Sequence, residues 1–167
     1  MGEPRATAPQ IHEGYGVPAD GSGGERLPWA WAVERLGASR NYWVCSTCPD
    51  GRPHAAPVWG LWLDDAMWFS TARRSWKGRN LTSNPSVVVH LESGDETVIL
   101  RGEVEEVNDP AALASFLDAY DAKYDLRPDP GSQDAFVFVL RPTVALTWEE
   151  RDYPNTATRW IFGRAVP

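Results

Sequence analysis

Between Ala66 and Leu91 the chain has no aspartate or glutamate, although the whole sequence carries 23 acidic residues against 16 basic ones and a net charge of −7. Other residue types are scarce throughout. Two cysteines and three scattered histidines leave no second Cys/His pair to complete a zinc site around Cys45-Ser46-Thr47-Cys48. That C-S-T-C run lies in a β-like segment with no helix following it, so the two thiols face opposite ways and read as structural. No apolar run approaches the length of a membrane span, and the first residues lack the apolar block of a secretory signal. The acidic balance argues against nucleic acid or an anionic membrane as partner, because both need an extended basic surface. The expectation is a soluble, cytoplasmic protein of one ordinary domain across 27–167, with residues 1–26, holding six glycines and three prolines, as a flexible N-terminal tail.

The acid-free stretch is rich in the opposite charge. Arg73, Arg74, Lys77 and Arg79 fall within seven residues, beside the hydroxyls of Ser70, Thr71 and Ser75. In FSTARRSWKGRNL a strand is expected to end at Ser70-Thr71, a loop to carry the two arginines, and a helix to start near Ser75, its candidate N-cap. A helix N-terminus exposes unpaired N–H groups and a partial positive charge, so hydroxyls and a lysine in its first turn form a cradle for one phosphate. The alternative is a solvated basic face on a surface helix, and composition leaves both open. Nine tryptophans are many for this length and point to core, an interface or a flat ring-shaped ligand.

The remaining pattern is mainly β. Strands are expected at 41–47, 54–63, 67–71, 87–91, 97–107, 135–140, 143–148 and 158–162. Short helices are expected at 28–36, 76–82 and 109–123, the last with Leu113, Phe116, Leu117 and Tyr120 on one face. Many short antiparallel strands with few helices indicate a closed or nearly closed barrel. The segment Pro57-Val58-Trp59-Gly60-Leu61-Trp62-Leu63 is apolar on both faces, which predicts that one face meets a second subunit and that the protein is a homodimer. No nucleophile elbow, Walker loop or paired carboxylates are present. His12, His54 and His90 are scattered, and no catalytic side chain is identifiable, which is how a site can look when a cofactor carries the chemistry.

The order G-x-P, P-V-W, F-S-T, six residues from Thr71 to Lys77, N-L-x-x-N-P and a strand ending R-G-E-V resembles the pyridoxamine 5'-phosphate oxidase-like split-barrel superfamily over Asn41–Val107 and onward to Trp160. The resemblance implies a six-stranded antiparallel split β-barrel, homodimeric, with a flavin-like cofactor at the subunit interface. It implies cofactor-phosphate contacts from Thr71 and Lys77, with Ser70, Arg74, Ser75 and Asn80 close by. It implies a backbone track along the ring at Pro57, Val58 and Trp59, a polar contact from Thr97, and a ring or substrate contact from Trp160. The second-strand cations of true pyridoxamine-phosphate oxidases correspond here to Ala56 and Leu61. That departure makes the chain look more like the actinobacterial branch that uses the deazaflavin coenzyme F420. Such proteins pass a hydride from the reduced deazaflavin to an electron-poor C=C or C=N of a small acceptor. FMN on the same fold is the alternative, and a non-catalytic flavin or haem binder with His54 or His90 as axial ligand is the third.

Overall fold

The computed structural model describes residues 3–9, 12–15, 26–128 and 134–163. Its strands are β1 (Arg5–Thr7), β2 (Asn41–Thr47), β3 (Pro53–Leu63), β4 (Ala66–Ala72), β5 (Ser86–His90), β6 (Glu96–Glu106), β7 (Ala135–Glu149) and β8 (Thr158–Ile161). Its helices are α1 (Trp29–Ala38), α2 (Trp76–Ser83), α3 (Pro110–Tyr124) and the single turn α4 (Tyr153–Thr156). The sheet runs β1-β8-β7-β4-β3-β2-β5-β6, and a further β6–β7 pairing closes six of these strands into an antiparallel barrel. Strands β1 and β8 extend the sheet beyond that closure.

Alternation along each strand sends one side chain in two into the barrel. Tyr42 and Val44 of β2, Met67 and Phe69 of β4, Val89 of β5 and Leu100 of β6 fill the interior. Two helices plug its ends. At one end α1 sets Trp29 against Trp62, Trp160 and Phe162, with ring centroids 6.1, 5.4 and 5.1 Å apart. At the other, Leu81 of α2 joins the interior cluster. Outside, Phe116, Leu117, Tyr120 and Tyr124 of α3 cover Leu61, Ala66, Trp68 and Val139 in a second cluster.

That second cluster corrects the reasoning behind one expectation. The strand segment 57–63 is apolar on both faces because α3 lies on its outer side, with Trp59 stacked flat on Tyr124 at 4.8 Å. No second subunit is needed to explain it. Two further corrections concern the chain trace. Part of the region read as a flexible tail is ordered: Arg5–Thr7 pair with Ile161–Arg159, and Thr7 Oγ1 donates to Arg159 O at 2.9 Å. Main-chain pairing at a sheet edge holds any sequence, so three residues without periodicity gave no signal. The rest of that region outside 3–9 and 12–15 lies beyond the described residues up to Arg26. The segments 135–140 and 143–148 are one strand. Pro142 lies opposite Gly102 where the β6–β7 register shifts, and a Cβ on Gly102 would sit 2.9 Å from Leu140 Cδ1 and 3.0 Å from Arg141 O. The shift absorbs a residue, and the glycine admits the bent partner.

Candidate functional site

The barrel is split on one side. The β3–β4 ladder runs from Leu63↔Ala66 only as far as Gly60↔Phe69. Beyond it β4 stays with β7 through Ala72, so Pro53–Val58 of β3 have no strand partner on that flank. Pro53 and Pro57 suit an edge that donates no ladder hydrogen bonds. Gly60 stands at the branch point. A Cβ there would come within 2.4 Å of Met67 Cε and 2.6 Å of Trp68 O, so glycine lets the two strands approach before they part.

Helix α2 follows β4 and packs at this split end against β2, β3 and β4. Ser75 caps it, accepting from Gly78 N at 2.9 Å, and its Oγ lies 3.0 Å from Thr71 Oγ1. Gly78 is required by contact. A Cβ there would fall 2.4 Å from Ala72 O and 2.7 Å from Arg73 O, so the helix start rests directly on the preceding backbone. The N–H groups of Trp76 and Lys77, first in the helix, have no helical acceptor.

The four cations differ in how they are held. Arg73 donates to Glu106 at 3.1 Å and lies 3.5 Å over the Phe136 ring. Arg79 donates to the Arg74 carbonyl and covers Trp76 at 4.6 Å. Arg74 is 91% exposed and stands 3.7 Å from Asp134. Lys77 is different: it is half-buried and makes no hydrogen bond or ion pair with any described residue. Burial pushes its pKa below the usual lysine value. A desolvated lysine, the first N–H groups of the helix and the Thr71–Ser75 hydroxyl pair all belong to the start of α2. Two more polar atoms at this end lack partners. Asn80 is fully buried, its Nδ2 donating to Ser46 Oγ at 3.1 Å and reaching Cys48 Sγ at 3.6 Å, while its Oδ1 accepts nothing. His54, cross-strand neighbour of Ser46, has a buried Nδ1 without a partner. This donor set fits a phosphate ester, which would pair with the Lys77 ammonium and accept from the helix start.

The sequence-derived residues do not all meet here. Thr71, Ser75, Lys77 and the exposed Arg74 cluster at the helix start. Asn80 points under α2 into the barrel end and so anchors the helix. Ser70 faces outward with Trp68, on the opposite side of β4 from Thr71. Val58 is a core side chain, Pro57 is exposed on the unpaired edge, and Trp59 lies under α3. Thr97 and Trp160 lie at the α1 end. Thr97 donates to Gly94 O at 3.0 Å, next to Glu96, which pairs with Arg35 of α1. Trp160 is 4% exposed and donates to Thr147 Oγ1 at 2.9 Å, so within one chain it is a core side chain. Its fate follows from interior packing against Trp29, which a strand pattern does not disclose. His54, weighed from the sequence only as an axial ligand, is the polar residue that the structure adds at this end. The signal was its place on a strand carrying two prolines, which marks an open edge. His90, the other histidine weighed as an axial ligand, stacks on Trp43 at 6.4 Å and bonds the Leu91 carbonyl through Nδ1 at 2.7 Å.

Among the described residues no helix is long and apolar enough to cross a membrane. The family model for pyridoxamine 5'-phosphate oxidase matches residues 32–149. Among solved structures, an F420 reductase is 27% identical, with 68% of this chain and 94% of that one covered and a TM-score of 0.55. A conserved hypothetical protein from Mycobacterium tuberculosis is 21% identical, with 84% and 92% covered and a TM-score of 0.66. A pyridoxamine 5'-phosphate oxidase-related, FMN-binding protein from Nostoc punctiforme is 22% identical, with 83% and 91% covered and a TM-score of 0.56. No curated protein matches the sequence.

Proposed function

Because the chain belongs to the pyridoxamine 5'-phosphate oxidase family, we propose that it is an oxidoreductase that uses coenzyme F420 to reduce an electron-poor C=C or C=N of a small organic acceptor. The observation that carries this reading is Lys77, a half-buried cation without a partner among the described residues, at a capped helix start beside the split. Lys77, Thr71, Ser75 and the N–H groups of Trp76 and Lys77 would hold the cofactor phosphate, with Arg74 at the rim. The unpaired flank of β3 around Pro57 offers backbone along which a flat ring would lie. When bound, the reduced deazaflavin supplies the hydride. The chain's own task is then to orient the acceptor and exclude water.

The choice of F420 over FMN is supported by the F420 reductase among the more similar structures and by the second strand. Leu61, where a flavin-phosphate cation would stand, is 6% exposed beneath α3 and contributes nothing to an anion. FMN shares the phosphate-bearing arm and remains the second reading on the strength of the FMN-binding relative. We further propose that the working unit is a homodimer with the cofactor at the interface.

Titration with F420 and with FMN, followed by oxidation of reduced F420 against a panel of enones and imines, tests the reading. F420 is expected to bind tightly and to be oxidised by at least one acceptor. Lys77→Ala is expected to weaken F420 about tenfold to a hundredfold, the range for a lost charge-assisted contact, and to leave the thermal midpoint unchanged or raised. Tight FMN binding with no F420 binding would overturn the choice of cofactor, and unchanged affinity in Lys77→Ala would overturn the cradle.

A further inference from the structure

The α1 end of the barrel, opposite the cradle, holds a cavity of about 500 Å³ between the N-terminal segment, α1 and the residues after β8. Its floor is apolar. Trp29 and Phe162 meet edge to face at 5.1 Å, and Val33 and Pro4 complete the wall. Its rim is acidic: Glu3, Glu34 and Asp65 line it, and no lysine or arginine lines the cavity among the described residues. Arg35 bonds Glu96 and lies 3.9 Å over the Trp31 ring, while its Nη1 stands 3.8 Å from Glu34, which is 80% exposed.

We propose that this cavity binds an amphipathic organic cation, a flat or branched apolar body carrying one ammonium. The volume lies within the range that small-molecule pockets occupy. The floor rewards an apolar body by removing it from water, and the aromatic walls favour a ring. The sign of the rim selects the charge. A carboxylate or phosphate ligand would meet a rim of carboxylates, of which Glu34 has Arg35 Nη1 at 3.8 Å, whereas an ammonium adds a favourable partner without stripping them from solvent. The site stands apart from the phosphate cradle and does not depend on it. The cradle collects hydroxyls, a helix start and a buried lysine for an anion, and this cavity collects carboxylates over indole and phenyl rings for a cation.

The test uses the full chain and three probes of one shape: 2-(1-naphthyl)ethylamine, the corresponding alcohol and the corresponding carboxylate, each titrated by calorimetry at pH 7. The amine is expected to bind saturably at one site, the alcohol about tenfold more weakly, and the carboxylate more weakly still. In the double variant Glu3→Gln, Glu34→Gln, both positions being exposed, the amine is expected to fall severalfold toward the affinity of the alcohol while the alcohol is unchanged. Amine binding is expected to persist in Lys77→Ala, which separates this site from the cofactor reading. Equal binding of amine and alcohol, indifference of the amine to the double variant, or no saturable binding at all would overturn the proposal.

Discussion

Two lysines are drawn out of water in this barrel, and their surroundings give them different meanings. Lys123, near the end of α3, donates to Tyr42 Oη at 2.9 Å and to Gly60 O at 3.2 Å, with its ammonium 5.1 and 5.3 Å from the Tyr42 and Tyr124 ring centroids. Its bonds are complete within the fold, so its role is structural. Lys77 has no such partners among the described residues, so its desolvation points to a ligand. Burial pushes Lys123 from 10.5 down to about 8. Between those values the unfolded chain binds more protons than the folded one, so stability rises with pH across that window. Tyr42, Tyr120 and Tyr124 shift the other way, raised first by burial. Above their ordinary value the unfolded chain loses protons first, and stability falls. Urea midpoints from pH 7 to 11 are therefore expected to climb to a maximum near pH 10. The gain is about 1 kcal/mol after discounting for the solvent that still reaches Lys123. Lys123→Met is expected to flatten the rising limb and leave the falling one, and an unchanged limb would refute the assignment.

At the scale of elements, what the sequence disclosed was local and what it hid was paired from afar. Helix α3 was legible at both ends. Asp109 accepts from Ala112 N at 2.8 Å with Pro110 following, and the apolar spacing of Phe116, Leu117 and Tyr120 marks the buried face. The β3–β4 turn is Asp64-Asp65, in the gap between the strands expected at 54–63 and 67–71, and its φ values of 51° and 57° match a two-residue turn with both residues left-handed. The cap of α2 was legible because Ser75 does what a serine before a helix does. The strand at Arg5–Thr7 was not, because its partner β8 lies more than a hundred residues away and edge pairing asks nothing of side chains. The end of α3 also carries a correctable flaw. Asp125 sits left-handed with φ 52° and places a negative charge at the negative end of the helix dipole. Asp125→Gly removes both costs. The expected gain is about 0.5–1 kcal/mol, a rise of roughly 1–4 °C in the thermal midpoint of a chain this size. A fall in calorimetry would mean that the aspartate makes a compensating contact.

For the whole molecule, alternation and strand count were enough to expect the barrel, but not to assign its outer surface. A periodic helix shows that it has an apolar face and stays silent on which sheet face it will cover. Here α3 takes the outer side of β3, β4 and the first half of β7, which removes the original reason for expecting a dimer. The structure supplies another. Across β2, β5, β6 and the second half of β7 the outward residues Trp43, Cys45, Val88, Ile99, Val144 and Leu146 are only half-buried, and no helix covers them among the described residues. A contiguous apolar sheet face of this kind is what a two-fold partner buries, at roughly 800 Å² per subunit in a specific complex. A second copy also gives the scattered site residues a way to converge, since Thr97 lies at the barrel end away from Lys77 within one chain. Sedimentation velocity is therefore expected to give a dimer at low micromolar concentration. Trp43→Glu, which places a carboxylate on that face beside His90, is expected to give a folded monomer with unchanged strand content by circular dichroism and much weaker F420 binding. A wild-type monomer at tens of micromolar would dispose of the dimer. A Trp43→Glu monomer that binds F420 as well as the wild type would place the whole cofactor site within one chain.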